Sequence, residues 1–214
     1  MNRTTRAERA GQTRELILQA AEHLFARYGV VTVSNRQISE AAGQGNNTAV
    51  GYHFGTKADL VRAIVRKHSG PTEQIRERLL TKFAGSTQPR DWVTCLVQPV
   101  TEHLASLGTP SWYARFSAQV LTEPALRDIA LVEGLAAPAA LTALERLNGC
   151  VPNLPTVVRA ERNEMIRNLV VYTCAEQERA FAEGTGSLRP TWAAAATGLI
   201  DATLGLLTAP VTTT

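Results

Sequence analysis

The stretch VSNRQISEAAGQGNNTAVGYHFGTKADL, residues 33–60, decides how the chain folds at its N-terminal end. Ser34 stands three residues before Gln37, the spacing of a capping box, and Val33 and Ile38 hold the two positions of a hydrophobic staple. A helix is therefore predicted from about Asn35 to Ala42, ended by Gly43. After the turn GQG, residues Asn46 to Phe54 are predicted to form a second short helix. Thr56, with Asp59 in the following turn, caps a longer one that opens GTKADLVRAIVRKH. Upstream, in TRELILQAAEHLFARYGV, the apolar residues Ile17, Ala21, Leu24, Phe25 and Tyr28 recur on one helical face, and Gly29 is placed to end that helix.

Two short helices joined by a glycine-containing turn, behind a supporting helix, form a helix-turn-helix arrangement. In such an arrangement the second helix enters the major groove of DNA. At about 100° per residue, Val50 and Phe54 fall on the side that packs against the other helices, and Thr48 and Tyr52 point outward. Asn46, Asn47 and Thr48 are expected in the first turn, where short polar side chains cap the helix or meet base edges and phosphates. Gly51 costs about 1 kcal/mol relative to alanine inside a helix, and a close backbone approach is one reason to keep it.

The charge distribution agrees. Residues 1–70 carry ten Lys/Arg against five Asp/Glu and residues 71–214 twelve against fourteen, so the net +3 divides into +5 and −2. The basic excess sits where a polyanion would be met. Three cysteines, Cys95, Cys150 and Cys174, lie far apart with no C-x-x-C pair, which points to reduced thiols and neither a disulfide frame nor a zinc site. The opening MNRTTRAERAGQTRE lacks the apolar run of a signal peptide, and no window approaches the ~18 apolar residues of a membrane span, so a cytoplasmic protein is expected.

From Thr13 to about Val65 the chain resembles the DNA-binding domain of the tetracycline-repressor (TetR) family of bacterial transcriptional regulators. Counting the upstream helix as the first, the resemblance is carried by QISEAAG in helix two (from Asn35), the polar turn, the triplet YHF and the run TKADL opening helix four (after Thr56). It implies phosphate contacts by Tyr52, His53 and Lys57, and base or backbone contacts by Asn46, Asn47 and Thr48. Ser34 and Arg36, at the start of helix two, complete the candidate DNA-binding set. The segment departs from the family pattern in one respect. Between Gly43 and Phe54 it is one residue longer, with glycine where an aromatic is frequent, so the register within Asn46–Gly51 stays open by one position.

The expected architecture is all-α: a basic, disordered arm (1–12) with Arg3, Arg6 and Arg9, a three-helix helix-turn-helix domain (13–56), and a larger helical domain (57–214) for ligand binding and dimerisation. Gly70-Pro71 interrupts helix four as either a hinge or a fixed kink. One helix is predicted from the TEPALRD run towards Asn148, bent at Pro138. The resemblance implies that the last two helices pair with those of a second copy. The small and apolar residues Ala194, Ala195, Gly198, Leu199, Ala202 and Leu206 are the candidate interface, burial within one subunit being the alternative. Trp92, Cys95, His103, Trp112, Tyr113, Phe116 and Tyr172 are candidates to line a pocket for a small hydrophobic or aromatic effector; aromatics at helical spacing also serve as plain core.

The function that follows is a sequence-specific DNA-binding regulator, a repressor released by its ligand. The rival classes are an enzyme and a helical binding module without DNA-binding activity. No H-E-x-x-H, G-x-S-x-G, P-loop or C-x-x-C occurs, and the four histidines are scattered. No catalytic residue, cofactor or metal ligand is therefore assigned.

Overall fold

The capping box predicted at Ser34 forms, and the predicted cap at Thr56 is also a reciprocal box. In the computed structural model the Ser34 hydroxyl accepts from the Gln37 N–H, and Gln37 Oε1 accepts from the Ser34 N–H at 2.8 Å. Thr56 and Asp59 make the same reciprocal pair, with the Asp59 carboxylate accepting from the Thr56 N–H at 3.2 Å. Val33 and Ile38 are both buried, so the staple closes.

The structure describes residues 6–46, 48–135, 137–151 and 153–211. They form ten helices: α1 (Arg6–Tyr28), α2 (Asn35–Ala41), α3 (Ala49–Phe54), α4 (Lys57–Lys82), α5 (Pro89–Ser106), α6 (Tyr113–Thr122), α7 (Pro124–Leu135), α8 (Pro138–Cys150), α9 (Thr156–Glu183) and α10 (Trp192–Thr208). No strand occurs among the described residues, and no helix among them is long and apolar enough to cross a membrane.

Several boundaries differ from expectation. Residues 6–12 of the expected arm are helical, because α1 begins at Arg6; residues 1–5, including Arg3, lie outside the described residues. Helix α4 runs unbroken through Gly70-Pro71. Pro71 is exposed, and buried Ile64, Val65 and His68 before it and Arg76 and Leu79 after it hold the rod on one line of packing. Tertiary burial here outweighs the one hydrogen bond that proline cannot donate. Conversely, the single helix expected to reach Asn148 is two, because Pro138 stands in the first turn of α8, where a missing N–H costs nothing.

Two apolar clusters organise the molecule. The first joins α1–α3 and the start of α4 around Ile17, Phe25, Ile38, Val50, Leu60 and Ile64, and takes in Phe116 and Val120 of α6. The second joins the end of α4 to α5, α8 and α10 around Leu79, Trp92, Val93, Leu147 and Leu199. Helix α6 is thus shared, packing on α1, α7 and α9. Glu178 of α9, 2% exposed, fixes the start of α6. Its carboxylate accepts from the Ser111 hydroxyl (2.8 Å), the N–H groups of Ala114 (3.2 Å) and Arg115 (3.0 Å), and Arg115 Nε (3.1 Å). A buried carboxylate is tolerable there because the helix N-terminus and a guanidinium both face it.

Helix α10 sorts the candidate dimer residues. Ala195 and Leu199 are buried inside the subunit, at 4% and 3% exposure, and so are not available to a partner. Ala202 is exposed, and Ala194, Gly198 and Leu206 are half-buried. The helix lies on α5, and its apolar side is consumed by that contact.

Candidate nucleic-acid interface

Helix α3 is short and two-sided. Ala49, Val50 and Phe54 are buried against the first core cluster, while Gly51 is exposed and Tyr52 is 79% exposed. Half-buried His53 meets the Tyr52 ring edge-on at 5.1 Å between centroids. A Cβ built on Gly51 would meet nothing within 4 Å, so no contact inside the chain requires a glycine. What its bare backbone does is keep the outer edge of α3 slim.

The expected first turn of α3 is not helical. Thr48 is the N-cap, and Asn46 lies before it, its Oδ1 accepting from the Thr48 N–H (2.9 Å) and hydroxyl (2.7 Å). The carboxamide of Asn46 thus holds the N-cap residue of α3 in an Asx-type contact. Both side chains are exposed beside α3; Asn47 lies outside the described residues. Ser34 and Arg36 are also exposed, on the adjoining start of α2, with Arg36 Nε donating to Glu40 at 2.7 Å.

Lys57 is placed differently. Its Nζ donates to the carbonyl oxygens of Val30 (3.0 Å), Val31 (3.3 Å) and Val33 (2.7 Å). All three ammonium protons are thus committed to the turn between α1 and α2, and partial burial lowers the group's pKa. Lys57 therefore stitches the start of α4 to the frame that holds α2, where a free phosphate ligand had been expected. A second clamp was not legible in the sequence. Arg14 of α1 donates from Nη1 to the His53 carbonyl at 2.8 Å, and its guanidinium lies 4.1 Å from the centre of the Phe54 ring. Nothing in spacing or composition marks that contact across 39 residues.

The seven residues expected to line an effector pocket stand in several different surroundings. Trp92 and Cys95 belong to the second core cluster, where the Trp92 Nε1–H donates to the Ser86 carbonyl at 3.2 Å. Burial pushes the Cys95 thiol up to about 11. His103, Tyr113 and Phe116 gather instead around His68, whose ring stacks on Tyr113 at 3.7 Å. Trp112 turns towards α1, 4.2 Å from the His23 ring and under the Arg115 guanidinium. Tyr172 is 43% exposed on α9, beside a different cavity formed with α6 and α7. The aromatics at helical spacing serve mainly to pack helices.

Residues 17–64 match the model of a family described as bacterial regulatory proteins, tetR family. No curated protein matches the sequence. Among solved structures, the chain is similar to NalD, the secondary repressor of the MexAB-OprM multidrug efflux pump in Pseudomonas aeruginosa. The two are 22% identical, with 94% of this chain and 100% of that one covered and a TM-score of 0.59. A gamma-butyrolactone receptor (ArpA-like protein) is 23% identical, covering 91% and 98% with a TM-score of 0.54. The multidrug binding protein EbrR, complexed with imidazole, is 18% identical, covering 96% and 95% with a TM-score of 0.52. At these identities the structures speak for the fold alone. Residues 17–64 are thus similar to the tetR family of bacterial regulatory proteins, and they are mounted on a fold shared with these structures.

Proposed function

We propose that the chain is a cytoplasmic transcriptional repressor, and not a catalyst, that binds operator DNA as a homodimer and leaves it when a small molecule binds. The observation that carries the reading is the outer edge of α3: Tyr52 stands 79% exposed on a helix whose other face is locked into the core. A large aromatic held out in this way has no packing role. Gly51, His53, Thr48 and Asn46 surround it with a slim backbone and hydrogen-bonding groups, in the segment that bears the basic excess. Phosphate contacts from such groups set position and affinity, and base-edge contacts set sequence. The repressor and ligand-binding relatives in the fold lend support to regulation by a small molecule.

Dimerisation is inferred from size. A six-residue recognition helix reaches one half-site, so useful affinity needs a second copy about one helical turn of DNA away. The side of α10 that exposes Ala202 and Gly205 is small enough for a close helix approach, whereas Gly198 is covered by the Arg189 guanidinium of the same chain.

Ligand coupling follows from shared helices. Helix α4 starts beside α3 and ends in the second core cluster, and α6 touches α1 through the Phe25–Phe116 ring pair at 6.2 Å. A ligand that prefers the DNA-incompetent arrangement shifts the population by its differential affinity, typically about 1–3 kcal/mol. The test is a gel shift with DNA flanking the protein's own gene. Specific, salt-sensitive retardation at a near-palindromic site is expected. Retardation no tighter than that of unrelated DNA would reduce the chain to a helical binding module.

A further inference from the structure

We infer that the cavity between α6, α7 and α9 binds a small organic carboxylate. The proposal deepens the reading above only in its regulatory part; binding itself does not depend on DNA. The cavity measures about 290 Å³ and is lined by Leu121 and Thr122 at the end of α6, Arg127 of α7, and Glu164, Arg167, Asn168 and Tyr172 of α9.

Its chemistry is an excess of donors. Arg127 donates from Nε to the Leu121 carbonyl at 3.1 Å; among the described residues its two terminal amino groups have no acceptor. Arg167 places Nη2 3.3 Å from Glu164, while its Nε is buried with no hydrogen-bond partner. A buried guanidinium N–H left unpaired is costly, and an acceptor brought by a ligand removes that cost. Two guanidiniums face a single carboxylate, Glu164, which is 57% exposed and so the weaker influence on the interior. The planar fork of arginine fits a carboxylate with two parallel bonds.

The lining is mostly polar, and its apolar part is Leu121, which is buried, and the partly exposed Tyr172, against which a small organic body can rest. The volume lies at the small end of ligand pockets, which run from about 300 Å³ upward, so one ring or a short chain fits. These features set the site apart from the hydrophobic pocket expected from the aromatic residues.

The position also suits control of DNA binding. Arg127 opens α7, and Glu133 further along α7 takes both Arg66 Nε (2.8 Å) and Nη2 (2.9 Å) of α4. Arg62, 3.5 Å from the same carboxylate, also donates to Asp59 at 2.6 Å. Asp59 belongs to the capping box that starts α4 beside α3. A carboxylate drawing α7 towards α9 therefore acts on a helix tied by ion pairs to the first turn of α4.

The experiment is calorimetry and thermal denaturation of the full chain without DNA, using benzoate, phenylacetate and hexanoate, with benzamide and inorganic phosphate as comparisons. At least one carboxylate is expected to bind and raise the melting temperature, with benzamide and phosphate much weaker. Arg127→Gln and Arg167→Gln, each checked for unchanged helix content, are expected to weaken that binding at least tenfold, the loss of one charge-assisted contact. No binding by any carboxylate, benzamide or phosphate equal to the best of them, or full binding by both variants would overturn the site. If binding holds but a gel shift shows no release of DNA, the site stands and its link to the operator is refuted.

Discussion

His68 of α4 places Nε2 2.9 Å from a carboxylate oxygen of Glu22 on α1, and both residues are buried. On its other side His68 Nδ1 lies 2.8 Å from Nε2 of His103 on α5, whose own Nδ1 is buried without a partner. This polar chain fastens α1 to α4 and α5. It is a point where packing between helices is specified by hydrogen bonds as well as by area.

His68→Leu leaves the Glu22 carboxylate buried and unpaired. Leaving a buried hydrogen-bonding group without its partner costs about 1–3 kcal/mol, and the urea midpoint should fall accordingly. A change below about 1 kcal/mol would mean that Glu22 readily reaches water, with its apparent burial carrying no cost.

The neighbouring histidine gives a dependence on pH. Burial, and then the His68 ring, lower the pKa of His103 from its ordinary 6.5 to about 4. Between those values the unfolded chain takes up a proton that the folded chain refuses. Its contribution to stability is therefore complete above about pH 6.5 and shrinks as pH falls towards about 4. In His103→Gln the loss of stability over that window should be shallower. Identical pH profiles for the two proteins would refute the assignment.

Lys57→Met removes three bonds from an ammonium to backbone carbonyls. A loss of about 2–3 kcal/mol in stability is expected, on the scale of charge-assisted hydrogen bonds. The salt dependence of DNA binding should change little, because the charge is already committed to the fold. Unchanged stability together with a log–log salt slope reduced by about one would show that Lys57 binds phosphate after all.

Tyr52→Ala should behave in the opposite way. The side chain is too exposed to matter to the core, so stability should move by no more than about 0.5 kcal/mol. Affinity should fall for operator and unrelated DNA alike, since a phosphate contact carries no sequence information. Fluorescence anisotropy on both duplexes checks this; full affinity in the variant would remove α3 from the interface.

On α10, neighbouring positions should give different outcomes. Leu199→Asp buries a charge in the second core cluster and should unfold the chain, as circular dichroism would record. Ala202→Arg, on the exposed side, should leave helix content intact and yield monomers by light scattering. A dimeric Ala202→Arg would place the interface elsewhere.

Local chemistry made much of the first domain readable. The boxes Ser34–Gln37 and Thr56–Asp59, the staple Val33–Ile38 and the terminating Gly29 and Gly43 each act within a few residues. Such signals need no knowledge of the rest of the chain. The contact of Thr48 with the Asn46 carboxamide could not be read in this way, because several turn geometries join two short helices.

The sequence by itself determined the all-helical class, the order of the first four helices, the outward Tyr52 and the charge division between the two parts of the chain. These rest on periodicity, caps and composition, which are properties of neighbouring residues. Tertiary structure decided which polar groups are spent inside the molecule. Lys57 turned from phosphate to carbonyls, Leu199 from partner to core, and Glu22, His68 and His103 met from three helices. It also continued α4 through Pro71 and set Arg127 and Arg167 on the lining of one cavity. Each of those outcomes joins residues distant in the chain, and whether a long cationic side chain faces water, a carbonyl or a cavity depends on which surfaces the core has already brought together.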